Sequence, residues 1–183
     1  EALVSFGAPI IANNDVKNVI RIVQTFGFHC AKLDIRQNSK FHDSAVTQLL
    51  KAGLEKDIDF ASLSESERIE FLSKELESPR PFTQPWMKMG PEATAVIECY
   101  KVVNEYLKKY GSDGIGSFIV SMTRSVSDLL VVYLLAREAG LTEKTPDGMV
   151  SKVHVVPLFE TIDDLLGSPA ILNDFAQHPF TKR

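Results

Sequence analysis

Two cysteines in 183 residues, Cys30 and Cys99, stand far apart and in no metal or redox spacing. That excludes a disulfide framework and makes a reducing, cytoplasmic compartment the expected setting. Long apolar runs are missing too. The longest are about seven residues, short of the ~20 that a membrane-spanning helix needs. No basic-then-apolar secretory leader opens the chain. Nor is there a surplus of basic charge: 20 Lys and Arg against 24 Asp and Glu give a net charge of -4, which leaves nothing to neutralise nucleic-acid phosphates. There is no internal repeat, no low-complexity tract, no glycine-rich loop placed to cradle a phosphate, and no recognisable nucleophile–base pair. What remains, 44% apolar and 24% charged residues, is ordinary for a globular protein with a real core. The chain begins at Glu1 rather than Met, in mid-pattern, and is expected to be a piece of something larger.

Periodicity orders the chain. Val16, Val19, Ile20 and Val23 repeat at helical spacing, with Asn14 or Asp15 able to cap the start and Gly27 placed to stop it. Cys30 to Arg36 alternates and is bounded by Gly27 and the polar run Gln37-Asn38-Ser39, which predicts a strand. Three helices follow. The first carries Ala45, Val46, Leu49 and Leu50. The second opens on a Ser64/Glu67 capping box and buries Ile69, Leu72 and Leu76. Ser78 to Gly90, with Pro79, Pro81 and Pro85, reads as a linker or excursion. Pro91 suits the first turn of the third helix, whose stripe is Val96, Ile97, Tyr100, Val103 and Leu107.

Ser117 to Thr123 is the second strand. The apolar run Leu129 to Leu135, with Ser127/Asp128 as caps and Gly140 at the exit, predicts a buried helix. Val153 to Phe159 is the third strand. Thr161 with Asp164 caps a short helix, and Ser168-Pro169 starts another that ends near His178-Pro179. Strands separated by helices imply parallel pairing and the α/β class. Three strands do not make a complete (β/α)8 barrel, which needs eight and about 250 residues.

In parallel sheets chemistry collects beyond the carboxyl ends of strands. Those ends carry Arg36-Gln37, Ser121-Met122-Thr123-Arg124 and Glu160-Thr161. Lys32, Asp34 and Arg36 share one face of the first strand, opposite the apolar Ala31, Leu33 and Ile35. Arg36 and Glu160 suit a metal-bound anion: a guanidinium is a planar donor fork, and a carboxylate is a hard ligand for Mg²⁺ or Mn²⁺. Two blander roles stay open. Arg36 can pair with Asp34 or Asp43, and Glu160 can sit at the N-terminus of the helix that follows.

The stretch Phe26-Gly27-Phe28 to Leu33-Asp34-Ile35-Arg36-Gln37-Asn38-Ser39, ending at His42, resembles the FG…LDIRQ-x-S-x-x-H segment of phosphoenolpyruvate carboxylase. Phe118-Ile119-Val120-Ser121-Met122 with Ser127-Asp128-Leu129-Leu130 resembles its ISM…PSDVL block. Val155 to Leu165 resembles its VPLFETLDDL block, and Glu75-Leu76 with Arg80-Pro81 fits a weaker ELxxxRP pattern. The likeness runs through nearly all of residues 1–183.

The resemblance implies one section of a helix-rich, partial TIM-type (β/α)8 barrel, with residues 78–90 a loop within it. It implies a parent enzyme, a carboxy-lyase of anaplerotic carbon fixation. That parent condenses phosphoenolpyruvate with bicarbonate to oxaloacetate and phosphate, using Mg²⁺ or Mn²⁺, and is a homotetramer. Arg36 maps onto the family's phosphate-binding arginine, and Glu160 onto a metal ligand. The family's second metal carboxylate and lysine (GYSDSxKDAG), its upstream histidine block and its FHGRGG loop have no counterpart in the sequence. The 183 residues alone are therefore expected to be inactive. Val126 stands where the family has Pro. Alternatives are another Mg-dependent barrel enzyme acting on phosphoenolpyruvate or pyruvate, and a non-catalytic helical scaffold. An open section of barrel is also expected to expose apolar faces and self-associate.

Among other residues, His29 and His42 read as structural or surface groups, and His154 as a core or interior hydrogen-bonding group. Ser121 and Thr123 can approach substrate or bond to nearby backbone. Cys30 and Cys99 read as small buried hydrophobes. Trp86 reads as an anchor of its loop or of a subunit contact, and the charges from Glu65 to Glu77 as a solvated helix face.

Overall fold

Helices and strands alternate through the computed structural model, which describes residues 1–55, 57–84, 86–146 and 148–182. In chain order the N-terminal elements are α1 (Ala2–Ser5), α2 (Pro9–Ile11), a π-helical turn (Ala12–Val16) and α3 (Lys17–Phe26). β1 (Leu33–Asn38), α4 (Ser39–Leu54), a 3-10 turn (Phe60–Ser62), α5 (Glu65–Glu75) and α6 (Pro91–Tyr110) follow. The chain continues through β2 (Ile115–Ser121), α7 (Val126–Glu138), β3 (Thr142–Thr145), β4 (Gly148–Ser151), β5 (His154–Leu158) and α8 (Ile162–Gln177). Among the described residues no helix is long and apolar enough to cross a membrane.

The α/β class is as expected. β1, β2 and β5 form a parallel sheet in that order. Its register aligns Ile35 with Phe118 and Val155, then Arg36 with Ile119 and Val156, and at the last rung Asn38 with Ser121 and Leu158. Residues on a shared rung point to a shared face, and alternate rungs to opposite faces. Phe118 and Val120 are buried under the helices, so Arg36, Ile119 and Val156 face away from them. Asp34 is taken into the ladder: its carboxylate accepts the Ser117 N–H at 2.7 Å across a register shift. A side chain at Gly116 would put its Cβ 2.1 Å from that carboxylate oxygen.

The core lies on the helix side of the sheet. Every residue of α7 is buried, packed by α4, α5, α6 and α8. Four leucines there, Leu129, Leu130, Leu134 and Leu135, are fully enclosed, each contributing about 2 kcal/mol of burial. Tyr100 meets Phe118 edge-on at 4.8 Å, joining α6 to β2. The Ser64/Glu67 capping box and Pro91 at the head of α6 are as the sequence indicated.

Several expectations are corrected. Asn14 and Asp15 lie inside the π-helical turn, in a helical run that begins at Pro9, so neither caps a helix. Gly27 does end α3, with φ 55°. The first strand starts at Leu33 rather than Cys30, because Cys30 takes a left-handed conformation (φ 63°) that breaks extended backbone. Gln37 and Asn38 belong to that strand, and the second strand starts earlier, at Ile115, ending at Ser121. Pro169 sits inside one continuous α8 instead of starting a second helix.

The helix α7 is not capped by Ser127. Its N–H and hydroxyl are instead held by Glu65 of α5, at 3.0 and 2.6 Å. An antiparallel hairpin, β3–β4, went unrecognised because Thr-Glu-Lys-Thr carries almost no apolar signal.

The proline-rich loop is clamped rather than loose. Glu138 accepts the N–H groups of Phe82 and Thr83 and the Thr83 hydroxyl, and Arg137 donates to the carbonyls of Glu75 and Ser78. Trp86 is 80% exposed and so is not buried as an anchor of this loop; Pro85 lies outside the described residues.

Val126 occupies the first turn of α7, where proline is tolerated. Val126→Pro is expected to keep the unfolding free energy within about 1 kcal/mol of the parent, whereas Leu130→Pro in mid-helix costs ~3 kcal/mol or more. Equilibrium unfolding of the two variants checks the contrast.

Candidate functional site

Arg36 leaves β1 two residues before its end, and Glu160 lies two residues beyond β5. The strands that carry them flank β2, yet the Arg36 Nη2 donates to Glu160 Oε1 directly, across the carboxyl end of the central strand. The pair joins positions 124 residues apart. Arg36 does not bond to Asp34 or Asp43, the partners the sequence offered; Asp34 serves the ladder and Asp43 is engaged elsewhere. Glu160 also precedes Thr161, whose capping box with Asp164 starts α8. The side chains remain 58% and 31% exposed, so one guanidinium edge and one carboxylate oxygen are available to a ligand.

The rim around them is tightly tied. Asn38 caps α4 by accepting the Lys40 N–H at 2.9 Å. The Ser39 hydroxyl donates to the Met122 carbonyl at 2.8 Å, linking the ends of β1 and β2. Thr123 is fully buried, its hydroxyl on the Val120 carbonyl at 2.7 Å, so it takes the backbone role and not a substrate one.

Beneath the rim lies a charge cluster that sequence reasoning missed. Arg124 donates its backbone N–H and its guanidinium to Asp128, and also reaches Asp43 at 2.7 Å. Arg68 of α5 donates to Asp43 and lies 3.4 Å from Asp128. Both aspartates and Arg68 are buried. The Asp128 hydrogen bonds, with help from Asp43, push the Arg124 pKa up despite the cost of its partial burial. The available signal was the Arg124/Asp128 spacing of four, read instead as a helix cap. The charges from Glu65 to Glu77 are likewise not a plain solvated face, since Arg68 and Glu65 point into the protein.

His42 adjoins this cluster, 2% exposed, with Nε2 3.4 Å from the Tyr100 hydroxyl. Burial lowers its pKa to about 4, although the Asp128 charge pulls the other way. His154 is exposed on the open face of the sheet, the face of Val156, rather than in the core, and both cysteines are exposed rather than buried.

Could these residues hold a divalent cation? Among the described residues no group of three or more His, Cys, Asp or Glu side chains is placed to do so. Glu160 offers one hard oxygen, and Mg²⁺ is commonly held by one or two carboxylates with the remaining positions filled by water and substrate oxygens. The described residues thus offer one such oxygen, fewer than a complete site needs.

Arg36 and Glu160 thus converge at the carboxyl rim of a parallel α/β sheet, the edge at which ligands bind in folds of this class. The family model of phosphoenolpyruvate carboxylase matches residues 1–183, and the chain belongs to that family. It is 40% identical over 182 residues to a phosphoenolpyruvate carboxylase of Rhodothermus marinus, covering 94% of this chain and 19% of that protein. It is 37% identical over 172 residues to that of Aromatoleum aromaticum, and 38% identical over 172 residues to that of Bradyrhizobium diazoefficiens. Each of these two alignments covers 94% of this chain and 18% of the relative, so the chain spans less than a fifth of the curated relatives' length.

The depressed His42 pKa has a definite sign. Unfolded chain takes up a proton near pH 6.5 that folded His42 refuses until about pH 4, so its contribution is intact above 6.5 and lost as pH falls through that window. The expected loss from pH 7 to pH 5 is about 2 kcal/mol. Urea unfolding at both pH values should show it, and His42→Gln should remove most of it.

Proposed function

We propose that the chain is an internal section of a phosphoenolpyruvate carboxylase whose parent forms oxaloacetate and phosphate from phosphoenolpyruvate and bicarbonate, in a (β/α)8 barrel. The observation that carries this reading is the meeting of Arg36 with Glu160 at one sheet rim. Family membership favours it over another phosphoenolpyruvate- or pyruvate-using barrel and over a scaffold.

Each residue has a chemical task. Attack of a bicarbonate oxygen on phosphorus spreads negative charge over the phosphoryl oxygens and releases the enolate of pyruvate. Arg36 presents parallel N–H donors to that charge and fixes the phosphate's orientation. Glu160 holds the guanidinium at the rim and supplies one oxygen to a Mg²⁺ or Mn²⁺ site completed by residues outside this chain. The cation, when bound, contributes Lewis-acid stabilisation of developing oxyanions. In the full-length parent, Arg36→Gln is expected to lower kcat/KM by about 10²–10³-fold with unchanged folding. The 183-residue chain alone is expected to yield no oxaloacetate in a coupled assay, and turnover by it would refute the claim that the site is completed elsewhere.

The uncovered surfaces fit a section of something larger. α3 has no buried residue, and Val19, Ile20, Val23 and Phe26 are about half exposed. An apolar cavity of about 650 Å³ opens beside β1, between Leu33, Ile35, Val102 and Tyr106. In the parent these surfaces are covered by the remaining chain. In isolation they drive association, so light scattering of the 183-residue chain should report species larger than one copy; a clean monomer would count against a partial barrel.

A further inference from the structure

We propose that Met122 is the water-excluding side chain of the strand-end site, held over the reacting centre by a strained backbone so that the enolate meets CO₂ instead of a proton. The proposal rests on the carboxylase reading above.

Three non-glycine residues among those described have positive φ: Cys30, Glu55 and Met122. Cys30 lies in the turn before β1, and Glu55 ends α4. Met122, at φ 56°, stands at the carboxyl end of the central strand. It follows Ser121, the residue paired to Asn38 on one side and to Leu158 on the other. Arg36 and Glu160 reach each other across this same strand end.

A side chain in left-handed backbone is costly, and such residues persist where surrounding bonds over-determine them, most often at functional sites. Here the bonds are visible. The Met122 carbonyl accepts the buried Ser39 hydroxyl, the Thr123 N–H donates to the Leu158 carbonyl at 3.4 Å, and the Thr123 hydroxyl is tied to Val120. Ser121 and Thr123 on either side are buried polar residues, while the large apolar Met122 between them is 40% exposed at the rim. Glycine would satisfy the backbone without strain, and a polar side chain would suit the exposure. Neither economy is taken, which points to a task for a large apolar side chain at this position.

The chemistry supplies one. When the phosphorus–enol oxygen bond breaks, pyruvate enolate and carboxyphosphate form, and carboxyphosphate splits into CO₂ and phosphate. The enolate methylene carbon then attacks CO₂ to give oxaloacetate. If water reaches that carbon first, it donates a proton and leaves pyruvate; the hydroxide released converts CO₂ back to bicarbonate. The net leak is hydrolysis of phosphoenolpyruvate to pyruvate and phosphate. A polarisable side chain without an acidic proton, placed over the methylene carbon, suppresses it.

The test uses the full-length parent, with malate dehydrogenase present to trap oxaloacetate and pyruvate measured separately. Met122→Gly and Met122→Ala are expected to raise the pyruvate-to-oxaloacetate ratio by about tenfold. Met122→Leu, which keeps an apolar side chain, should restore the ratio to near the parent value. The glycine variant relieves the strain and should unfold at no lower temperature than the parent, which separates a leak from a damaged fold. An unchanged product ratio in the glycine and alanine variants overturns the proposal while leaving the carboxylase reading intact. A parent that makes no oxaloacetate overturns that reading itself.

Discussion

Four charges held behind the strand ends, Asp43, Asp128, Arg68 and Arg124, set the geometry on which the rim depends. Charges this enclosed are tolerable only when paired, and deleting one leaves its partner stranded in low dielectric. Asp43 sits one turn into the helix that follows Arg36's strand. Asp128 opens the buried helix after Met122's loop, and Arg68 comes from α5. The cluster therefore fixes three segments relative to one another at the level of the carboxyl rim, and the Ser39–Met122 bond extends that coupling to the strand ends. Two positive and two negative charges balance there. Such an arrangement adds little net stability over an apolar core, but it admits few alternative packings.

Legibility in the sequence followed the physics of each signal. Local signals succeeded: the Ser64/Glu67 and Thr161/Asp164 boxes, Pro91 at a helix head, Gly27 at a helix end, and the wholly apolar run that became α7. Alternation found all three parallel strands but misplaced their ends by up to three residues. A left-handed Cys30 has no sequence signature, and Gln37 and Asn38 look like turn residues while serving as strand. The β3–β4 hairpin was invisible because its four-residue strands bury little.

The site divided in the same way. Strand-end position and resemblance singled out Arg36 and Glu160, and their side chains do pair. The Asp43–Arg68–Arg124–Asp128 cluster was missed because its members come from three helices and a loop, and nothing in one dimension joins them. The cysteines were misjudged through a residue-type average: Cys99 lies on the outer side of α6, beside the apolar opening next to β1, where this chain provides no cover.

The two faces of the sheet are finished to different degrees, and this bears on what Arg36 and Glu160 can do. On the helix side, Phe118 and Val120 are sealed beneath the helices. On the other side, the rung of Arg36, Ile119 and Val156 lies open, with Val156 40% exposed. An ion pair in that setting is screened by water and contributes little to stability, so holding the sheet together is not a sufficient reason for Arg36 and Glu160 to converge. Excluding water from that face would strengthen the electrostatic action of each group, the guanidinium toward anions and the carboxylate toward cations, because Coulomb energies rise as the local dielectric falls. The geometry of the pair is thus set within this chain, while the strength of its electrostatic action is set by whatever closes the open face.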